Sequence, residues 1–372
     1  MRIGFDAKRA FHNERGLGNY SRDLIRIMHE NYPEEDYFVF NPKPAQKDLM
    51  SSGIISNQIL PEGLISKVLP SLWRSYGICK SIKNLKIDLY HGLSQELPFG
   101  INKYKVKTVV TFHDAIFMRY PELYDKFYRE IFIKKNRYAI SVSDGIVAIS
   151  EQSKRDAIEF FNAPEDKISV VYQGCNQAFR IPVSDEDKEK CKLRFSLPAN
   201  YILTVSALEE RKNLKFLIKS YAISQKMLPL VIVGNESQYG IQLKQLVAEL
   251  KITENVIFLH QVENVDLPVI YQMASLFVFP SVFEGFGIPI LEALCSGVPV
   301  ITSEGSCFAE TAGDAAIYID PYKHDELAEA MDNVLGDLVL RKGMIEEGFR
   351  HAENFTEVKI ASGIMNIYKS VL

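Results

Sequence analysis

Short apolar runs rich in β-branched and aromatic residues alternate with longer stretches of helical periodicity along almost the whole chain. In the first half the runs are Arg2–Phe5, Tyr37–Phe40, Asp88–His91, Lys107–Phe112, Gly145–Ile149 and Ser169–Tyr172. In the second they are Tyr201–Val205, Leu230–Val233, Val256–Leu259, Leu276–Phe279, Val300–Thr302 and Ala316–Ile319. Several are continuous rather than alternating, which predicts strands covered by helices on both faces. Between them Asn19–His29, Glu151–Phe161, Asn213–Ile223 and Ile241–Leu250 carry helical spacing. This alternation predicts an α/β fold of doubly wound parallel sheets.

Six predicted strands lie on each side of the charged stretch Ser184–Lys190, which reads as a polar linker. The chain therefore divides into two Rossmann-like domains, residues 1–180 and 181–354, followed by a helix over 355–372. Two such sheets facing across a cleft would bind a ligand at the carboxyl ends of their strands. A length of 372 residues and 47% hydrophobic content suit two sizeable cores.

A net charge of −4 argues against a nucleic-acid partner. The basic excess lies in the N-terminal half, the likelier half to meet an anionic partner. Five scattered cysteines form no CxxC pair, so they read as buried free thiols in a reducing cytoplasm. The chain enters a strand pattern at Arg2 with no apolar leader, and Leu267–Val282 is too short and too punctuated to span a bilayer. A cytoplasmic protein is the expectation.

The segment carrying most chemistry runs Pro280-Ser281-Val282-Phe283-Glu284-Gly285-Phe286-Gly287-Ile288-Pro289-Ile290-Leu291-Glu292-Ala293-Leu294. Here a buried strand ends, a glycine turn follows, and a helix begins around Gly287–Pro289. Gly285 and Gly287 let the backbone approach a ligand closely, and the helix N-terminus offers N–H groups to an anion. Glu284 and Glu292 are at most about 12 Å apart along a helix. Glycosidase pairs face one bond across roughly 5–9.5 Å. One carboxylate ahead of the helix and one two turns inside it suits gripping two parts of an elongated ligand. Taken singly, Glu284 reads as a dipole partner of the helix and Glu292 as a solvated face residue.

A second strand delivers Arg211 and Lys212 to the start of a helix, where two fixed cations would neutralise a diphosphate leaving group. In the first half, Gly16 and Gly18 lie in a turn between the first strand and first helix, where phosphates are approached in such folds. His113-Asp114 closes the strand Lys107–Phe112, and His91 ends another without an assigned role. Ser150 is placed to cap the helix from Glu151.

The Glu284–Glu292 segment resembles the E-x7-E motif of the family 4 retaining glycosyltransferases, which have the GT-B architecture. The resemblance implies that Glu284 meets hydroxyls of the donor sugar and Glu292 the ribose of the nucleotide. It places the amides around Phe286, Gly287 and Ile288 near sugar and diphosphate. Arg211-Lys212-Asn213 matches the family's basic R-K-N motif, although Ser206 stands where many members carry an arginine. Gly16 and Gly18 resemble the family's glycine loop near diphosphate and acceptor, and His113 the histidine that meets the donor sugar's 6-hydroxyl region, with Asp114 orienting it. Glu310 closes the donor-side loop, and the helix over 355–372 packs back onto the N-terminal domain.

On this resemblance residues 1–180 form the acceptor domain and 181–354 the nucleotide-sugar donor domain. The implied reaction is retaining transfer of a hexose, with mannose from GDP-mannose favoured over UDP-hexoses, to a glycan or lipid-linked acceptor in surface polysaccharide assembly. No cofactor and no metal are implied; Asp185-Glu186-Asp187, formally a DxD, reads as solvated charge. Lys67, Arg74, Lys80 and Lys83 around Leu64–Lys83 with Trp73, and Lys126, Arg129, Lys134, Lys135 and Arg137 with Phe127 and Phe132, could bring the domain to the inner face of an anionic membrane. Ordinary core-facing helices with solvated lysines are the alternative. Two rival functions stay open: a GT-B sugar-nucleotide epimerase and a catalytically silent sugar-nucleotide-binding subunit.

Overall fold

The computed structural model describes residues 1–44, 57–62, 68–226 and 228–372. It divides into two units, Met1–Gln173 with Glu357–Leu372, and Gly174–Thr356.

The first unit is built on a seven-stranded sheet: β1 (Arg2–Asp6), β2 (Asp36–Phe40), β3 (Gln58–Ile59), β4 (Leu89–Gly92), β5 (Lys107–Phe112), β6 (Gly145–Ala148) and β7 (Ile168–Val170). Their spatial order is β3-β2-β1-β4-β5-β6-β7, and every neighbouring pair is parallel. Strand β3 has no counterpart in the predicted set: it is two residues long, at the sheet edge, and its sequence has no apolar run. Ser150 accepts the Ser153 amide at 2.9 Å and so caps the helix Glu151–Phe161.

The second unit carries β8 (Ile202–Val205), β9 (Leu230–Val233), β10 (Val256–Leu259), β11 (Leu276–Phe279), β12 (Val300–Ser303) and β13 (Ala316–Ile319). The order is β10-β9-β8-β11-β12-β13, again all parallel. Counted from its own first strand this is 3-2-1-4-5-6, the Rossmann order. The direction of winding reverses between β8 and β11, which lie side by side with Leu276 opposite Ile202. The loops leaving these two strands lie at the carboxyl end of the sheet beside the point of reversal, where folds of this order bind their ligands.

The charged stretch expected as a linker is instead the start of a helix, Asp185–Phe195. Ser184 accepts the Asp187 amide at 3.1 Å, and Asp185, Glu186 and Asp187 lie in the first turn, where negative charge favours the helix dipole. Only Cys191 of this helix is buried, so its sequence carries little apolar period.

The last helix, Glu357–Val371, belongs to the first unit. Ile360, Ala361, Ile364, Met365, Ile367 and Tyr368 join the core that covers one face of the sheet. Arg26 ties its start, donating to Glu357 at 2.6 Å. Deeper in, the Tyr368 hydroxyl meets His91 Nδ1 at 2.7 Å, and His91 Nε2 meets Thr111 Oγ1 at 2.8 Å. Tyr20 completes the chain on Thr111 at 3.0 Å. All five cysteines are buried and unbridged. Among the described residues no helix is long and apolar enough to cross a membrane.

Burial, and then the neighbouring His113, pushes His91 down to about 3 from its ordinary 6.5. The unfolded chain therefore binds more protons than the folded one between those values, and stability falls as the pH drops through that window. From this group alone the first unit should lose ~2 kcal/mol between pH 7 and pH 5. Thermal melts against pH should show that slope in the wild type and a shallower one in His91→Gln; parallel curves would show that the ring is not held neutral.

Candidate functional site

Beyond β8 the chain makes a single tight turn, Glu210–Lys212, and Asn213 takes a left-handed φ of 56° before the helix Leu214–Ile223. Beyond β11 it runs through Pro280–Phe286 to Gly287, whose φ of 98° starts the helix Ile288–Cys295. A side chain at Gly287 would be strained by that φ, and a Cβ would lie 3.3 Å from Ile290 Cδ1. The two loops are stitched together: the Val282 amide donates to the Arg211 carbonyl at 3.0 Å, and Ser281 Oγ lies 3.2 Å from the same carbonyl.

These loops bring Glu284, Arg211 and Lys212 into one cluster. Lys212 Nζ lies 2.6 Å and an Arg211 guanidinium nitrogen 2.8 Å from Glu284 Oε1, which also accepts from Ser281 Oγ at 2.6 Å. None of these bonds falls on Oε2. Arg211 also donates to the Phe283 carbonyl and to Glu209. Glu284 is only 8% exposed. Burial alone would raise its carboxyl, but Lys212 and Arg211, with hydrogen bonds from Lys212 and Ser281, overcome that and pull it to about 2. Glu284 is thus an ion-paired group rather than a dipole partner of the helix.

Glu292 is half-buried on the helix Ile288–Cys295 and accepts from the Tyr271 hydroxyl at 3.0 Å, so the reading as a solvated face residue is corrected. Burial, followed by Glu292 itself, raises the Tyr271 phenol well above its usual value and keeps it a donor. Phe286 is buried against Phe355, ring centroids 5.5 Å apart. The amides of Gly287 and Ile288 stand at the helix start, where N–H groups lack intrahelical partners. Ser206 Oγ, at the position where many members of the resembled family carry an arginine, is buried without a hydrogen-bond partner among the described residues. Glu310 offers its carbonyl to His351 Nε2 at 3.2 Å.

In the first unit His113 is 3% exposed at the end of β5. Its Nε2 donates to the Leu93 carbonyl at 2.8 Å, and the Tyr20 ring meets it edge-on, centroids 4.7 Å apart. Burial lowers it to about 4, with Arg9 adding to the shift, so the imidazole is neutral. The Leu93 carbonyl orients the ring, while Asp114 Oδ1 takes the Ile116 amide at 3.1 Å.

Gly16 and Gly18 do not lie in a loop: both sit in the first turn of the helix Gly16–Asn31. A Cβ on Gly18 would come within 1.7 Å of the Asn13 carbonyl oxygen, so this glycine is required by close packing of the turn. The first basic segment is also corrected in part. Trp73 and Arg74 are buried, and Arg74 is held by Asp6 and, at 2.6 Å, by Glu96. Lys80 and Lys83 are exposed, while Leu64, Ile65 and Lys67 lie outside the described residues. The second basic segment forms the helix Lys126–Val142, with Phe127 74% and Tyr128 52% exposed.

Sequence reasoning did not find Ser281, Tyr271, Ser306, Cys307 or Thr311. Small polar residues and a thiol carry no pattern of their own; Ser281 lay inside the segment Pro280–Leu294 without a role assigned to it.

The sequence and the fold are similar to those of known proteins. The family described as "Glycosyl transferases group 1" matches residues 185–351, and "Glycosyltransferase Family 4" matches residues 15–179. The "O-antigen chain mannosyltransferase B" of Escherichia coli is 29% identical over 294 residues, covering 78% of this chain and 76% of the relative. The "O-antigen chain mannosyltransferase RfbU" of Salmonella typhimurium is 30% identical over 60% of each chain. Against "Serotype-specific mannosyltransferase WbdA" of Escherichia coli, 30% identity extends over 68% of this chain but only 32% of the relative. Among solved structures, a glycosyltransferase from Rickettsia africae superposes with a TM-score of 0.78 at 19% identity, covering 99% of this chain and 97% of its own. HepE from Anabaena, solved with UDP-glucose, does so at 0.77 and 18%, covering both chains fully. With two family matches in tandem and the Rossmann-ordered sheets beneath them, the chain belongs to the family 4 glycosyltransferases of GT-B fold.

Proposed function

We propose that this chain is a retaining, metal-independent hexosyltransferase that moves mannose from GDP-mannose to a glycan or lipid-linked acceptor in surface polysaccharide assembly. The observation that carries this reading is the charged Glu284 carboxylate held by Arg211 and Lys212 beyond the two strands where the winding reverses. The mannosyltransferase relatives favour mannose as the sugar.

Transfer breaks the bond between sugar and diphosphate, and the electron pair leaves on phosphate oxygen. Lys212 carries three N–H donors, one of them on Glu284, and together with Arg211 it meets the growing negative charge. Amides at the start of the helix Ile288–Cys295 add to that field. Fixed cations at this place supply what a divalent ion supplies elsewhere, which supports transfer without one. Glu284 Oε2 accepts from a sugar hydroxyl, and Glu292, oriented by Tyr271, from a ribose hydroxyl. His113, held neutral, meets the sugar's 6-hydroxyl region. Glu284, depressed to about 2, is too weak a base to take the acceptor's proton. A phosphate oxygen takes it instead, on the face from which the diphosphate leaves, and the anomeric configuration is kept.

The same reading places the protein in the cytoplasm, on the inner face of a membrane holding the acceptor. Phe127, Tyr128 and Ile131 stand exposed on one helix among the exposed cations Lys126, Lys134 and Arg137, an apolar and basic mixture suited to anionic lipid.

Three measurements test these statements. Across a panel of sugar nucleotides, GDP-mannose should release GDP, faster with acceptor, unaffected by chelator and slowed about a hundredfold by Glu284→Gln; proton NMR should find the product anomer retained. A sugar altered without acceptor would favour the epimerase, and binding without turnover the silent subunit. Glu292→Gln should raise KM for the donor about tenfold with a smaller change in kcat. In flotation, the protein should rise with vesicles containing phosphatidylglycerol at low salt, and Phe127→Ser with Ile131→Ser should abolish it; equal flotation with neutral vesicles would remove the electrostatic part of the reading.

A further inference from the structure

The glycine turn beyond β11 is fastened from behind by one short segment beyond β12. Ser306 Oγ accepts the Glu284 amide at 3.1 Å and donates to the Glu284 carbonyl at 3.0 Å. Cys307 Sγ points its donor at two carbonyls, Glu284 at 3.3 Å and Phe286 at 3.0 Å. Thr311 Oγ1, on the helix Phe308–Ala312, donates to the Phe286 carbonyl, with the Cys307 carbonyl 3.2 Å away. Cys307 and Thr311 are fully buried.

A peptide unit is planar and trans, so its C=O and the following N–H point in opposite directions. Fastening the Phe286 carbonyl inward on Thr311 and Cys307 therefore turns the Gly287 N–H the other way, outward at the head of the helix Ile288–Cys295. The left-handed φ of Gly287 lets the chain make this turn. The fastening segment is itself held in an uncommon conformation. Ser306 has a φ of 48°, a region that a serine occupies only when its surroundings impose it. Its two bonds to Glu284 are what the surroundings supply.

We infer that Ser306, Cys307 and Thr311 are positioning residues that aim the Gly287 amide at the diphosphate of the donor, through their hold on the Glu284 and Phe286 carbonyls. Their role in this inference is exerted through the turn, on the Glu284 and Phe286 backbone. The inference rests on the donor-site reading given under Proposed function. It goes beyond that reading in naming what keeps the turn in its binding shape before any ligand arrives, so that the amide need not reorganise on binding.

The experiment compares GDP and GMP binding by calorimetry for wild type, Thr311→Val, Thr311→Ser and Ser306→Ala, with thermal melts of each. Valine keeps the shape of threonine and removes the donor; serine keeps the donor. Thr311→Val should weaken GDP about tenfold while changing GMP about twofold or less, and Thr311→Ser should restore GDP to within about twofold of wild type. Ser306 is half-buried, so Ser306→Ala provides the same comparison where folding is least at stake. A parallel loss of GDP and GMP in both Thr311→Val and Ser306→Ala would mark a merely structural role and overturn the inference, as would wild-type GDP affinity in both. If wild type binds neither GDP nor GMP and no other nucleotide of the panel, the donor-site reading fails and carries this inference down with it. Wild-type binding with unaltered variants overturns the positioning role alone.

Discussion

Lys212, Arg211 and Ser281 all converge on a single oxygen of a carboxylate that is 8% exposed, and the second unit is arranged around that meeting. A carboxylate taken out of water must be met by positive charge and hydrogen bonds or give up its own charge. Removing one partner from such a group generally costs more than the group contributes intact, because an uncompensated charge is left behind. The two loops are thereby obliged to stay together. Their backbone stitches through Arg211 and Val282 run in the same direction as the ion pairs, so the strand adjacency, the loop contact and the charge state support one another. An arrangement of this kind is preorganised: its dipoles and charges already face the place where negative charge develops.

Both units use the same strand order around their point of reversal, yet they fill it differently. In the first, the carboxyl end of β1 delivers Asp6 to the buried guanidinium of Arg74, which Glu96 also holds, and Glu96 in turn takes Lys135 at 3.0 Å. That cluster closes on itself beneath a core of aromatic and aliphatic side chains. In the second, one carboxylate oxygen is saturated while the other takes none of the bonds described. Similar chemistry thus serves cohesion in one sheet and presentation in the other.

Much of this was legible in the sequence because buried parallel strands must be written as continuous apolar runs. All six strands of the second unit were placed from that signal. The failures share a physical cause: their signal was local composition rather than periodic burial. The helix Asp185–Phe195 buries only Cys191 and so resembled a linker, although Ser184 and the three acidic residues after it are a helix start by their chemistry. The glycines at 16 and 18 resembled a loop, because the close approach to Asn13 that demands Gly18 exists only once the turn has formed. The Glu284 cluster could be named residue by residue but not assembled, since its members lie 72 positions apart and meet only through the pairing of β8 with β11. Ser306 and Cys307 were beyond reach for the same reason, their partners lying on a loop that only tertiary structure brings near.

The helix Glu357–Val371 completes the core of a unit whose other residues end at Gln173. On the ribosome, therefore, the first unit is translated almost whole and then waits, the core on one face of its sheet still lacking this helix, while all of Gly174–Thr356 is made. The six strands of the second sheet all lie within that stretch, so their pairing partners are complete before this helix is made. Order of synthesis and order of completion run opposite ways, and Tyr368, made only after the whole second unit, brings the Nδ1 partner to His91.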